Sequence, residues 1–418
     1  FFQAEDGIRD RSPSHGLGDV YKRQLLVSCD EYCFTYQGQH YLSERGQIFL
    51  KRYLEVFENV LLAVRTKVVE TSEDLGHHSH IVDDERVKIV EIPFFQGPKQ
   101  YLPLYFNVKK SAKNAVANCD IAILRLPSTT SFVIWHELKK KGIPYATEIV
   151  SDCVDLANST DSILNKIFYK IWHNWQVNAC NKAIGVACVT KEYLQKRYFS
   201  KVNNAVTSHY SSAEIHPDFY FQPRKFPEKE RYTIVHISNQ VQFNGGKGHN
   251  ELIYVLKVLK ERGYDIKLLF IGKDYFDSFS KLRQLASGCG VGDDIIFSGY
   301  VEQKQMRSLI QNSDVAVLPT KVEGLPRTVI EVMALGLPCI TSPVSGNPEL
   351  ISKDYLIEYE DIMGMANMVE KLLTNKRLYE EASRNNYEKS IEYNSEVLNS
   401  RRTIFYKNIK NKIKVVNN

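Results

Sequence analysis

The sequence predicts an α/β protein built from two tandem doubly wound sheets whose strands are mostly parallel. Three observations carry this. Short apolar, β-rich runs alternate with helix-patterned stretches along most of the chain, as βαβ units do. One polar, proline-containing stretch, FQPRKFPEKER at 221–231, interrupts the alternation, which then restarts. A length of 418 residues with 43% apolar and 25% charged content suits two or three soluble globular domains.

In the first half, strands are expected at LLVSC (25–29), VLLAVRT (60–66), VKIVEIPFF (87–95), IAILRLP (121–127), PYATEIV (144–150) and AIGVACVT (183–190). Helical periodicity fills roughly 44–57, 102–117 and 132–141. Beyond the linker the strands are YTIVHIS, IKLLFIG, IIFSGYV, VAVLP and PCITS. The division is therefore 25–220, a linker at 221–231, 232–392, and a final helix near 393–411 within a terminal segment 393–418. Ligands of open α/β sheets bind beyond the carboxyl ends of the strands, so two facing halves make a cleft.

Several function classes are excluded or disfavoured. No run of 18 apolar residues exists, which argues against a spanning helix. Eight cysteines lie scattered without C-x-x-C spacing, as in a reducing, cytoplasmic compartment rather than a disulfide or zinc framework. GHHSH at 76–80 reads as a solvated loop, because no acid or thiol stands at ligand spacing. A net charge of +5 is too small and diffuse to argue for nucleic acid.

The first 24 residues stand apart. FFQAEDGIRDRSPSHGLGDVYKRQ has no signal-peptide core and no amphipathic period, and its four acids balance its four bases. QAEDGIRD and GLGDVYKRQ resemble the translated ends of a sequencing-library adapter. The native start is accordingly expected to be lost, by a few residues, just before Leu25, and the segment is set aside.

Chemistry concentrates in KVEGLPRTVIEVMALGLPCITSP, 321–343. A buried strand (314–319) leads through a loop to Pro326, expected at the first helical position, and the helix stops at Gly336. A strand, a glycine-bearing loop and a helix N-terminus make an anion site. Glu323 lies in the loop and Glu331 lies in the helix. Acids near a helix start are also common simply because the dipole favours them.

EGLPRTVIEVMALGLPCITSPVSGNPELI resembles the E-x7-E signature of the retaining, nucleotide-sugar-dependent glycosyltransferases of GT-B fold, family 4. GGKGHNELI (245–253) resembles that family's K-G-x-x-x-L-I segment, and FSGYV (297–301) stands at its usual strand and loop. DIAILRLPS and PYATEIVSD resemble members that build capsular or surface polysaccharide. The likeness covers about residues 25–410. It implies that Glu331 holds ribose hydroxyls, while Glu323 sits beside the donor sugar. Lys247, Arg327 and Thr328 would meet the diphosphate, with Gly299, Tyr300, Gly324 and Leu325 lining the nucleotide-sugar site.

Two departures from the family pattern matter. The arginine usually found shortly before the lysine is missing from HISNQVQFNGGKGH, so Arg327 is expected to substitute. No D-x-D pair is present to hold a divalent ion under the diphosphate, and metal-independent chemistry without a cofactor is expected. GGKGH is not a Walker loop, since no Ser or Thr follows the lysine.

In the first half, Glu148 is a candidate sugar ligand or a structural strand-end acid. Arg125 is a candidate contact for an anionic acceptor or half of a buried ion pair, and Asp152 stands nearby as a further acceptor candidate. The stretch 30–46, with TYQGQHYLSERG, reads as a loop able to act as an acceptor-facing lid. ILNKIFYKIWHNWQV (163–177) places Ile163, Leu164, Ile167, Phe168, Ile171, Trp172 and Trp175 on one helical stripe. The stripe faces either the core or, with basic KNIKNKIK near the C-terminus, the inner face of a membrane carrying a lipid-linked glycan acceptor. The alternatives are a sugar-nucleotide epimerase of the same fold and an inactive nucleotide-sugar binder.

Overall fold

The computed structural model describes residues 24–160, 162–213 and 215–416. The adapter-like segment, except for Gln24, lies outside the described residues. The first half runs β1 (Gln24–Tyr36), β2 (Gln39–Leu42), α1 (Glu44–Leu54), β3 (Asn59–Val68), β4 (His80–Ile81), β5 (Val87–Pro93), α2 (Gly97–Ala117), β6 (Ile121–Leu126) and α3 (Thr129–Lys141). It continues with β7 (Tyr145–Ile149), α4 (Cys153–Asn158), α5 (Ile163–Lys182), β8 (Gly185–Cys188) and β9 (Val206–His209).

Seven of these strands pair in parallel in the order β5-β3-β1-β6-β7-β8-β9, and β2 and β4 add an antiparallel corner. The central strands are buried on both faces: Leu25, Leu26, Val27, Ile121, Ala122, Ile123 and Leu124 are each wholly inaccessible. Such continuous apolar runs are what a sheet covered by helices on both sides requires.

The second half comprises β10 (Arg231–Val241), α6 (His249–Glu261), β11 (Asp265–Asp274), α7 (Ser278–Gly288), β12 (Ile295–Gly299), α8 (Gln303–Gln311), β13 (Val315–Leu318), α9 (Arg327–Ala334) and β14 (Cys339–Thr341). Three helices follow: α10 (Ile362–Thr374), α11 (Lys376–Ser390) and α12 (Ser395–Val416). Its five strands are all parallel, in the order β12-β11-β10-β13-β14.

The stretch 221–230 carries no helix or strand, yet it is fastened to the second half. The Arg224 guanidinium donates to the carbonyls of Leu335 (3.0 Å), Ser313 (2.6 Å) and Ile310 (3.0 Å). Gly336 (φ 64°) permits the close approach, since a Cβ there would lie 2.4 Å from the Gln222 carbonyl oxygen. Helix α12 returns to the first half: the Tyr406 hydroxyl reaches Glu148 at 2.6 Å and Lys410 reaches Glu58 at 2.6 Å.

Four local expectations are corrected. Residues 30–42 are not a loop: β1 continues to Tyr36 and turns at Gln37 and Gly38, both with positive φ, into β2. Aromatic and β-branched residues had signalled strand there, but the polar tip masked it. Helix α2 begins at Gly97 and carries Pro103 within its second turn. Pro326 is the N-cap (φ −72°, ψ 120°), one position before the helix. The stripe of α5 is divided: Ile163, Leu164, Ile167 and Ile171 are exposed, while Phe168, Trp172 and Trp175 are partly buried. A strand at 206–209 had no expectation.

Candidate active site

The loop between β13 and α9 is braced from within. The Thr320 amide donates to the Ser342 hydroxyl (3.0 Å) and the Gly346 amide donates to the Gly324 carbonyl (3.0 Å). Gly324 is needed where this loop meets the first half, because a Cβ there would lie 2.5 Å from the Val150 carbonyl oxygen. No side chain caps α9, so its first-turn N–H groups keep their donor capacity at the helix tip.

A second loop, between β10 and α6, lies against the first. The Lys321 amide donates to the Gly246 carbonyl at 2.9 Å and the Tyr359 hydroxyl to the Gly245 carbonyl at 3.0 Å. Gly248 (φ 74°) packs so closely on Pro319 that a Cβ would come within 2.3 Å of its ring. These contacts bring the Lys247 ammonium onto the Glu323 carboxylate. Two residues 76 apart in sequence, expected in one pocket, therefore touch.

Glu331 lies in the second turn of α9, only 6% exposed, with a carboxyl oxygen 3.8 Å from the Arg327 guanidinium. Burial pushes its carboxyl above the ordinary range, and Arg327 opposes this. Leu325 is buried and Thr328 half-buried at the helix start. Gly299 (φ 70°) ends β12, and the neighbouring Tyr300 ring is exposed with Lys273 Nζ 4.7 Å from its centroid.

Between the halves, at the carboxyl ends of their strands, lies a cavity of about 450 Å³. Asp30, Glu31, Arg45 and Arg125 line it from the first half, and Gln303 and Arg327 from the second. A register shift in β1 between Ser28 and Tyr32 carries Asp30 and Glu31 out of the regular ladder. Asp30 is oriented by the Ser128 hydroxyl (2.8 Å) and Arg65 (3.2 Å). Of the expected residues, Arg125 and Arg327 line the cavity directly. Lys247, Glu323 and Glu331 are not among its lining residues; Gly324, next to Glu323 in the chain, rests on the lining residue Val150.

Arg125 is half of an ion pair, as one of its two expectations had it, and it also lines the cavity. Its guanidinium is 3.8 Å from Glu148, lies 4.8 Å from the centre of the Phe49 ring, and still faces the cavity. Glu148 is buried, and its oxygens accept from the hydroxyls of Tyr53 (3.0 Å), Tyr210 (2.7 Å) and Tyr406 (2.6 Å). Burial would raise its carboxyl, but Arg125, the Tyr406 and Tyr210 hydroxyls and Arg402 outweigh this and hold it below the ordinary range. Asp152, expected near the acceptor, is likewise internal. It caps α4 through the Val154 amide (2.8 Å), accepts from the Tyr198 hydroxyl (2.6 Å) and pairs with Arg197.

Three contributors lie in stretches the sequence reading quoted but were not singled out there. Arg45 stands in the first turn of α1, whose N-cap Ser43 accepts from the Gly46 amide; the Ser-Glu pair at 43–44 was the available signal. Burial lowers its guanidinium pKa, as do nearby Arg327, Arg125 and Arg52, with Glu31 opposing. Glu349 reaches across the halves and accepts the backbone N–H groups of Lys191 (2.5 Å), Glu192 (3.0 Å) and Tyr193 (2.6 Å). Ser345 crosses beside it, donating to Asp155 at 2.7 Å. Those pairings join distant segments and leave no local trace.

Comparison with known proteins agrees with this geometry. Residues 218–389 match the family model for glycosyl transferases group 1. Protein CapJ of Staphylococcus aureus is 25% identical over 387 residues, covering 89% of this chain and 92% of its own. The putative colanic acid biosynthesis glycosyltransferase WcaL of Escherichia coli K12 is 26% identical over 155 residues, 35% of this chain and 37% of its own. Anabaena HepE, solved in complex with UDP and glucose, superposes with a TM-score of 0.61 at 14% identity, covering 90% of this chain and 97% of that one. The two facing sheets are thus a GT-B fold, and residues 218–389 are similar to the glycosyl transferases group 1 family.

Proposed function

We propose that the chain is a retaining glycosyltransferase that moves a hexosyl group from a nucleoside diphosphate sugar to a hydroxyl of a lipid-linked surface glycan. The observation that carries this reading is the meeting of Lys247 and Glu323 in the loops that precede α6 and α9, the uncapped helix whose first residue, Arg327, lines the cavity between the halves. In this reading Lys247, Arg327 and the α9 amides take the charge of the departing diphosphate. Glu323 accepts hydroxyls of the donor sugar, Glu331 those of the ribose, and Tyr300 with Gly299 borders the nucleotide. Glu148 acts as a positioning residue that holds Arg125 at the cavity wall.

The relative WcaL, named for colanic acid biosynthesis, and HepE, solved with UDP, support the acceptor and donor classes respectively. Arg45, Arg125 and Arg327 on one cavity favour an acceptor bearing negative charge. No divalent ion is needed to offset the diphosphate in this scheme, so transfer should persist in EDTA.

A thermal-shift screen over UDP-, GDP- and ADP-sugars identifies the donor, since a ligand of the native state raises its stability. With that donor, Lys247→Met should lower kcat about 100-fold, the scale of one lost transition-state contact. Glu331→Gln should raise the nucleotide Kd about tenfold, the loss of one charge-assisted hydrogen bond. Unchanged constants in both variants would remove the site. Incubation with donor alone should yield at most slow hydrolysis; a new sugar nucleotide would make the protein an epimerase.

A further inference from the structure

The face formed by α2, α3 and α5 combines apolar exposure with one sign of charge. Leu102 and Phe106 on α2 are 70% and 79% exposed, and Ile163, Leu164 and Ile167 on α5 are 73%, 78% and 55% exposed. Between them runs a groove of about 220 Å³ walled by Tyr101, Tyr105, Val133, Phe168, Trp172 and Trp175. Lys109 and Lys140 stand at its edge. The helices α2, α3 and α5 carry four, three and three lysines and one acid among them, Glu137, which is paired with Lys140 at 2.7 Å. The whole chain is nearly balanced, with 54 bases and 49 acids, so this face departs sharply from the average.

We propose that this face docks on an anionic lipid bilayer, with the exposed side chains of α2 and α5 entering the headgroup boundary and the aromatic groove receiving a hydrocarbon chain. Lysine stems lie along apolar surface while their ammonium groups meet lipid phosphates. Charge decides the occupant: a second copy would set lysines against lysines, whereas an anionic surface complements them. The position also fits. Thr129 lines the groove and the preceding Ser128 lines the cavity between the halves, so consecutive residues at the start of α3 border the two. A hydrocarbon tail in the groove would leave its headgroup beside Arg125.

This inference deepens the proposed function by naming where a lipid-borne acceptor meets the chain, and it rests on that reading only for its purpose. The binding measurement needs no turnover, and the donor enters only as a control. The full chain is sedimented with vesicles of phosphatidylcholine alone and of phosphatidylcholine with phosphatidylglycerol. Binding should be at least about tenfold stronger to the anionic vesicles and should weaken with added salt. The double variant Leu164→Asp/Ile167→Asp and the charge reversal Lys166→Glu/Lys170→Glu should each cut it about tenfold, while leaving the donor's thermal shift intact. Equal binding to both vesicles, no binding, or unaffected variants would overturn the proposal. So would a native dimer that Phe106→Asp dissociates, which would make the face a contact between copies. Lipid binding without any donor shift would instead count against the glycosyltransferase reading alone.

Discussion

Glu148 shows how one side chain is given its role by its neighbours. A strand-end acid in a GT-B chain invites assignment as a sugar ligand, yet three phenols and a guanidinium surround it. Removing a buried charge leaves its partner uncompensated, at a cost of about 3–5 kcal/mol. Glu148→Ala should therefore unfold in urea with a loss of that order, whereas Tyr210→Phe, which deletes one hydrogen bond, should cost about 1–2 kcal/mol. Comparable small losses in both would mean that Arg125 finds another partner. The approach of Lys247 to Glu323, by contrast, was expected from motif resemblance, and it arises because the loops that follow β10 and β13 leave neighbouring strands of one sheet.

At the scale of elements, β10 and α6 enclose a histidine pair beneath the Lys247 loop. His236 is 1% exposed with Nδ1 2.9 Å from the Val317 carbonyl, and His249 is wholly buried with Nε2 3.1 Å from the Ser238 hydroxyl. Burial lowers His236 to about 4, with nearby Lys247 adding to it and the Val317 hydrogen bond opposing. Burial, then His236 and Lys247, lower His249 to about 2. Both rings are neutral in the fold, whereas in the unfolded chain they take up protons below about pH 6.5. Stability is thus complete above that pH and is lost as pH falls, by about 1.4 kcal/mol per unit for each ring. The unfolding free energy should drop between pH 6.5 and 5, and His249→Gln should remove about half of that slope. A slope identical in the variant would place the protonation elsewhere. The alternating strands and helices that house this pair were visible as apolar periodicity; the β1–β2 hairpin was not, because pairing partners and turn conformation outweigh a polar, loop-like composition.

For the whole molecule, contacts of strong geometry join the two halves. Glu349 gathers three amides of the opposite half, Ser345 reaches Asp155, and Gly324 rests on the Val150 carbonyl. A carboxylate on several backbone N–H groups is a firm, directional link. Glu349→Ala should loosen the arrangement, raising the radius of gyration measured by small-angle scattering and raising the donor KM several-fold, the effect of a misplaced cleft wall. Unchanged scattering and unchanged KM would show that other contacts suffice.

The sequence by itself determined the α/β class, most strands, the E-x7-E segment and the lysine loop, because each is written in hydrophobic period, turn residues and motif spacing within a few tens of residues. Only the tertiary structure decided that Glu148 and Asp152 are internal, that Arg45 joins Arg125 and Arg327 at one cavity, and that the start of α5 stays uncovered. Those outcomes depend on which distant segments pack together, and packing partners are not encoded at any fixed spacing along a chain.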